Sequence, residues 1–575
     1  MADRVRVIPK DKAPLAGRPW TAHYDEGVPA TLEYPDVPLH ALLEDAARSH
    51  PDATATIFLG AKRTYAALQR DATFFSAGLR RLGVKQGDRV ALMLPNCPQF
   101  LIAFFGALRL GAAVVPCNPL YTPREIQHQL SDCGAETVVV LSRLYPVVKA
   151  ARPGTSVRNV VVTNIKEEMP PVLRLLFTLA KEKKEGHRTP WRSDQGTVAF
   201  RELLADAGEP VAAPVSPDDL AVLQYTGGTT GVPKGAMLSH RALVANTLQC
   251  RSWFTNLRDG QDVAMAVMPL FHVYGLTVAM ALSVQAAAAI ILEPQFDLHR
   301  ILKDIQKYRP KIFPGAPRIY NAIVNAPEAA KYDLRSIEAC ISGSAPLMVE
   351  TAKRFGEMTG GRLVEGYGLT EAAPVTHCNP IFGEGKQKVG SIGVPFPDVE
   401  SKIVDLDTGT REMPVGEPGE LVLRGPNLMD GYYQKDEETR QTIRDGWLHT
   451  GDIATVDAEG YVSIVDRKKE LIIVSGFNVY PREVEEALAA HPAVLEGAAI
   501  GVPHPLKGEE VKAFVVLRPG MTATPEDIMA FCRERLAPFK VPREVEVRGS
   551  LPKTIIGKVL RRQLADEEKA RRSAR

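Results

Sequence analysis

The chain has 575 residues, 45% of them hydrophobic and 24% charged, a balance that excludes a disordered, fibrous or disulfide-scaffold protein and leaves room for more than one domain. Lys and Arg number 70 against 68 Asp and Glu, a formal net charge of +2, so no overall basic field exists to hold a nucleic-acid backbone and nucleic acid is not expected as a partner. The seven cysteines are scattered without a CxxC pair, which argues against zinc, haem or thioredoxin chemistry and fits a reducing cytoplasm.

The opening stretch MADRVRVIPKDKAPLAG carries charges where an export signal needs an uninterrupted apolar run, so the protein is expected to begin near Met1. From Asp88, short β-rich runs (DRVALMLP, AAVVPC, AETVVVLS, NVVVTN) alternate with stretches of helical period such as Gln99 to Leu110 and Pro123 to Asp132. That alternation predicts strand-helix-strand units in a mostly parallel sheet. Next comes MPPVLRLLFTLAKEKKEGHRTPWR, Met169 to Arg192, in which Val172 to Arg192 holds six Lys/Arg against two Glu. Two interpretations stand side by side: a surface helix capping the core, or a helix lying on a membrane surface. Its apolar part is too short to span a bilayer.

A second alternating series runs from Ala221 to about Val364, and within it Leu276 to Leu292 reads as a buried helix followed by a strand. After Gly390 the texture changes to short strands punctuated by Gly and Pro, among them GELVLRG and GYVSIVDR, as in a small antiparallel or barrel-like segment. The last hundred or so residues have strands of their own (AAIGV, KAFVVL), a helix near Pro525 to Leu536 and a charged tail. The predicted class is α/β: residues 1–465 form a large body of two related α/β layers with a small barrel-like β segment, and 466–575 a small α+β domain.

The chemistry is carried first by Tyr225 to Gly235, YTGGTTGVPKG, directly behind the apolar run AVLQ. Glycines permit a tight loop whose backbone N–H groups converge, and Thr226, Thr229, Thr230 and Lys234 add donors for phosphate oxygens. A Walker loop needs GK followed by Ser or Thr, whereas Lys234 is followed by Gly235, so this is not an ordinary P-loop. A lone glycine cluster would be read as a surface turn.

Five further motifs follow in order: FHVYGLT from Phe271, GSAP from Gly343, YGLTE from Tyr367, DGWLHTGD from Asp445 and PKTIIGK from Pro552. Together with the loop, they resemble the adenylate-forming superfamily of acyl-CoA synthetases, firefly-type luciferases and peptide-synthetase adenylation domains. PLYTPREIQHQL from Pro119 and VDRKKELIIVSGFNVYP from Val465 are similar to the bacterial long-chain fatty-acid–CoA ligases in particular. The resemblance covers nearly the whole chain. It departs at Gly228, where the wider family carries Ser or Thr.

The resemblance implies ligation of a long-chain fatty acid to coenzyme A in two steps, an acyl-adenylate first and a thioester second, with ATP as co-substrate and Mg²⁺ as metal. Activation through AMP is chemically required because hydroxide is a poor leaving group. By this resemblance, Thr226, Gly227, Gly228, Thr229, Thr230, Gly231 and Lys234 hold the phosphates, and Glu371 with Thr226 holds the metal. Gly343, Ser344, Ala345 and Pro346 flank the adenine on one side and Gly366, Tyr367 and Gly368 on the other, with Thr370 near the α-phosphate. Asp452 and Arg467 reach the ribose, and Lys558 bridges the carboxylate and the α-phosphate.

The resemblance further implies that His272 orients the acid, and Leu276 and Gly315 are candidates for lining an acyl tunnel, although close helix packing explains the small residues there equally well. Asp466 is the implied hinge of a mobile C-terminal domain, after whose rotation Lys469, Ser475, Gly476 and Phe477 serve the thioester step. Peripheral contact of Met169 to Arg192 with the inner membrane face and pairing with a second copy of the chain are weighed as partners. Three alternatives are carried: the same chemistry on a medium-chain or aromatic acid, a fatty-acid carrier whose nucleotide site gates binding, and a light-emitting oxidation. A serine esterase lacks the GxSxG elbow it would need.

Overall fold

The computed structural model describes residues 15, 17–205, 213–226, 233–345, 347–382, 387–475, 477–504, 508–554 and 557–573. Two compact units divide the chain: Thr21–Glu400 with Arg424–Gly446, and Ser401–Leu423 with Trp447–Arg575 and the described part of Met1–Trp20.

The larger unit contains the two expected α/β layers. In the first sheet, strands Arg89–Met93, Ala113–Pro116, Thr137–Leu141, Asn159–Thr163 and Thr197–Ala199 run parallel, and Leu220–Thr226 joins them in parallel beside Ala113–Pro116. Runs such as TVVVL are buried at every position, which is how a sheet covered on both faces reads. Helix Pro98–Arg109 is apolar nearly all round and buried from Pro98 to Leu108, so it is a core helix rather than a surface one. The far edge turns antiparallel through Lys234–Ser239 and the short strand Gly431–Tyr432.

In the second sheet, Val263–Ala266, Ala289–Leu292 and Thr54–Phe58 are parallel, with Ala61–Thr64 folded back on the last. Single bridges at Ile312 carry it on to the parallel pair Ala339–Ser342 and Arg362–Gly368. Leu276 to Leu292 forms the expected buried helix and strand, but its first turn, Gly275–Ala281, is a π-helix.

Helix Pro171–Ala180 does not cap the core. Only Phe177 is buried, whereas Val172 and Leu179 are 73% and 74% exposed and Leu175 and Leu176 lie open beside them. No helix among the described residues is long and apolar enough to cross a membrane.

In the smaller unit, strands Gly419–Arg424, Trp447–Val456 and Val462–Arg467 make antiparallel pairs. They lead into a mixed sheet built on the long hairpin Val494–His504 and Gly508–Leu517, with Glu544–Val547 parallel at its edge. Helices Pro481–Ala489 and Pro525–Arg533 pack over an aliphatic cluster on this sheet. The charged tail is itself a helix, Arg561–Ser573.

Candidate active site

The expected site residues lie in both units. In the larger unit, Leu220–Thr226 and Lys234–Ser239 form a hairpin in whose register Thr226 stands directly opposite Lys234. The two ends of the threonine loop are therefore side by side. Gly227, Gly228, Thr229, Thr230 and Gly231 lie outside the described residues, as do Pro346 and Gly476. Behind the hairpin, the Tyr225 hydroxyl donates to Asp132 on helix Pro123–Cys133. A side chain at Gly235 would come within 2.8 Å of Leu223 and 3.3 Å of the Tyr225 ring, which accounts for glycine after the lysine.

Glu371 sits in a 3₁₀ turn, Thr370–Ala372, just beyond strand Arg362–Gly368. One of its carboxylate oxygens, Oε1, accepts from the Tyr432 hydroxyl at 2.7 Å. The Lys234 ammonium lies 5.2 Å from the centre of the same tyrosine ring and 4.0 Å from Glu438 Oε1. Lys234 and Glu371, distant in sequence, thus share one neighbour. No cluster of three or more acidic, His or Cys residues exists among the described residues to cage a cation unaided. A single carboxylate, Glu371, on the tyrosine that Lys234 also flanks instead fits Mg²⁺, which is usually held by one or two carboxylates plus substrate phosphates.

Tyr367 is half-buried and meets His377 edge-on at 6.1 Å. The carbonyl of Pro374 would lie 2.1 Å from a Cβ at Gly368 and Ile341 2.7 Å from one at Gly366, so both glycines are demanded by close approach. Across the sheet, Gly343 donates to the Gly315 carbonyl at 3.1 Å and lies over the Tyr274 ring. Ser344 adopts φ +73°, and Ala345 follows it.

His272 accepts from the Tyr274 amide at 3.2 Å, and burial pushes its imidazole down to about 4. It is neutral at pH 7 and offers its other nitrogen as a donor. Leu276 is fully buried in the π-helical turn. At Gly315, a Cβ would meet Tyr320 at 2.8 Å, so the absence of a side chain is already explained by the packed tyrosine.

In the smaller unit, Asp452 and Arg467 are register partners on adjacent strands, with Arg467 Nε 3.0 Å from Asp452 Oδ1. The buried Glu420 supports their turn: it accepts from the Gly451 amide and the Lys468 ammonium, each at 3.1 Å, and lies 3.4 Å from His449 Nδ1. Burial pushes the Glu420 carboxyl up, but His449 and Lys468 outweigh it and hold the group near 2.

Asp466 accepts from the amides of Arg467 and Arg482, each at 2.7 Å. Arg561 reaches Asp466 as well, besides Glu470 and Glu485. Lys469 follows in a short 3₁₀ turn, Ser475 takes φ +52°, and Phe477 is exposed and stacked on Phe539 at 4.9 Å.

Lys558 is held in a small hairpin: Thr554 donates its amide to the Lys558 carbonyl at 2.8 Å, and the Lys558 amide returns to Thr554 Oγ1 at 3.1 Å. Burial, reinforced by the Arg467 charge, pushes its ammonium down to about 8 against the pull of Asp452 and Glu470. The C-terminal lysine and the Asp452–Arg467 pair therefore share one electrostatic neighbourhood. Sequence reasoning missed Tyr432, Glu420, His449 and Arg561. The clue to Tyr432 was the GYY run at Gly431.

The larger unit thus brings Thr226, Lys234, Tyr432 and Glu371 together, and the smaller unit brings Asp452, Arg467 and Lys558 together. The AMP-binding enzyme family model matches residues 43–433, and the AMP-binding enzyme C-terminal domain model matches 483–558. The chain belongs to the AMP-binding enzyme family.

Among its relatives, a protein of Bacillus subtilis (strain 168) named long-chain-fatty-acid–CoA ligase is 45% identical, over 96% of this chain and 98% of the relative. One of the same name from Escherichia coli O157:H7 is 40% identical at the same coverage. The crystal structure of ATP-bound MatB from Rhodopseudomonas palustris superposes with a TM-score of 0.80 at 31% identity, over 93% of this chain and 99% of that one. A Mycobacterium tuberculosis fatty acyl CoA synthetase gives 0.71 at 28% identity, over 93% and 98%.

Proposed function

We infer that the protein joins a long-chain fatty acid to coenzyme A, using ATP and releasing AMP and pyrophosphate through an acyl-adenylate. The observation that carries the reading furthest is the shared field of Lys558, Asp452 and Arg467. Burial and the Arg467 charge push the Lys558 ammonium down while Asp452 pulls it up, which supports a charge acting in the neighbourhood of Asp452.

In this reading Lys234 and the threonine loop hold the β- and γ-phosphates, and Tyr367 stacks on the adenine. Asp452 accepts from the ribose hydroxyls, with Arg467 directing its carboxylate. Lys558, protonated, draws the fatty-acid carboxylate and the α-phosphate together and offsets their repulsion. Neutral His272 donates toward the acid, whose hydrocarbon runs along the Leu276 side. Mg²⁺, held through Glu371 with Thr226, supplies charge neutralisation on the phosphates. Asp466, fixed by two backbone amides, is the point about which 466–575 turns to replace Lys558 by the segment Lys469 to Phe477 for thiol attack.

The test is product identification with ATP, CoA and a series of acids from C8 to C18 together with coumarate and benzoate. Thioester, AMP and pyrophosphate in equal amounts, with kcat/KM highest at C14–C18, is the expected result. A maximum with an aromatic acid would move the substrate class, and absence of thioester would favour a gated carrier.

We also propose that helix Pro171–Ala180 rests on the cytoplasmic face of a membrane. Its open Val172, Leu175, Leu176 and Leu179 are followed by exposed Lys183 and Lys184, the composition of an interfacial helix. The seven cysteines are all buried thiols, in keeping with a reducing compartment. Replacing Leu175 and Leu179 with glutamate removes about 1.5–3 kcal/mol of apolar burial at each site, so partitioning onto anionic vesicles should fall at least tenfold. Unchanged co-sedimentation would remove the membrane contact from the account.

A further inference from the structure

Residues Asn427 to Tyr433 brace two motifs against each other. At one end the Asn427 side-chain amide donates to the Ala372 carbonyl at 2.6 Å and the Met429 amide to the Glu371 carbonyl at 2.9 Å. At the other, Asp430 and Tyr433 donate their amides to Met237 at 3.0 Å and to Gly235 at 2.8 Å, extending the strand that begins at Lys234. Tyr432 stands where the two ends meet, 8% exposed, with its hydroxyl on Glu371 and its ring beside the Lys234 ammonium.

Its backbone is fixed in turn. The Tyr432 amide donates to Thr439 Oγ1 at 2.9 Å, and that hydroxyl donates to the Lys435 carbonyl at 2.9 Å. Gly431, at φ +142°, would place a Cβ 2.6 Å from Thr439, so the strand can approach helix Asp436–Thr442 only with glycine there.

We infer that Tyr432 is a positioning residue for the metal and phosphate site: its hydroxyl fixes the Glu371 carboxylate that would hold Mg²⁺, and its ring fixes the Lys234 ammonium that would meet the phosphates. The inference rests on the assignment of Glu371 to the metal. It separates two functions in one side chain, because phenylalanine keeps the ring and loses only the hydroxyl.

The experiment is ATP binding to the full-length protein, measured calorimetrically across a Mg²⁺ series and again in EDTA, with thermal unfolding of each variant alongside. Tyr432→Phe should raise the Mg²⁺ concentration for half-maximal ATP binding roughly tenfold, the scale of a lost hydrogen bond to a charged group, and leave metal-free ATP affinity unchanged. Tyr432→Leu should raise it as far and also weaken metal-free binding by roughly two- to fivefold, as the ring beside Lys234 is lost. Glu371→Gln should raise the Mg²⁺ requirement at least as much as Tyr432→Phe.

A wild-type Mg²⁺ requirement in Tyr432→Phe, with Glu371→Gln shifted, overturns the role of the tyrosine and leaves that of Glu371 standing. No shift in either removes both. Equal weakening with and without metal in Tyr432→Phe marks a purely structural residue and also overturns the inference.

Discussion

Lys558→Met abolishes most acyl-adenylate formation, lowering its rate by about 10²–10³, the scale set by removing one preorganised charge-stabilising group. Thioester formation from supplied acyl-adenylate stays within a fewfold of wild type, because in the proposed role Lys558 acts on the α-phosphate and not on the thiol. The same substitution raises stability. Desolvation and the Arg467 charge hold the lysine at about 8, down from an ordinary 10.5, so the folded chain binds this proton more weakly than the unfolded chain does.

The penalty is full below pH 8, fades as pH rises and is gone above 10.5. Its removal at pH 7 is worth about 1–3 kcal/mol after allowance for partial exposure. In the wild-type protein, adenylation falls as pH rises through about 8 and the lysine loses its charge. Half-reaction rates and chemical denaturation of the two proteins at pH 7 check both halves. Equal loss in the two half-reactions, or a destabilised variant, contradicts the assignment.

Lys512→Met acts on the fold that carries Lys558. Lys512 is completely buried, with its ammonium 2.6 Å from Glu544, 2.8 Å from Glu568 and 3.0 Å from Glu546. Glu568 lies on the final helix and the other two on the edge strand, so the lysine fastens helix to sheet. Removing one partner of a buried ion pair costs about 3–5 kcal/mol.

Arg571 at 3.0 Å and Arg572 at 2.8 Å remain on Glu568 and should hold the loss to about 3 kcal/mol, at the lower end of that range. Because the Lys558 hairpin leads directly into this helix, adenylation should fall with it, whereas Lys512→Met combined with Glu568→Leu should regain most of the stability. Burial pushes Glu568 up, but Lys512 and Arg572 hold it at about 2 against an ordinary 4.5. Its contribution is therefore present above pH 4.5 and disappears as pH falls toward 2. Urea denaturation of the single and double variants, repeated at pH 3, reads all three expectations.

This helix also marks where the sequence runs out. RRQLADEEKARRS has no apolar stripe, so periodicity leaves it a charged tail. It is held by Leu564 in a small core cluster and by ion pairs to a lysine far away in the chain, neither of which has a local signature. The parallel strands were legible for the opposite reason. Burial on both faces makes runs like VVVL continuous, and strands alternating with helices leave few arrangements.

Helix Pro171–Ala180 had two open interpretations because its apolar face is the same whether it meets a core or a lipid surface. Only its exposure separates them. In the site, Lys234, Glu371, Asp452 and Lys558 stood inside recognisable motifs. Tyr432 sits on a two-residue strand too short to show alternation, and Glu420 reads as an ordinary polar position in a strand until its burial under the Gly451 turn is seen. Gly315 carried an ambiguous signal, since a small residue that opens a tunnel and one that admits Tyr320 look alike in sequence.

The central claim, activation of the acid as a mixed anhydride with AMP, is tested most directly with palmitate labelled with ¹⁸O in both carboxylate oxygens. In a complete reaction with ATP and CoA, one labelled oxygen should leave with each AMP and none should appear in pyrophosphate, because the carboxylate attacks the α-phosphorus and the thiol later cleaves the acyl C–O bond. Label in inorganic phosphate or pyrophosphate, or unlabelled AMP alongside newly formed palmitoyl-CoA, would contradict the account.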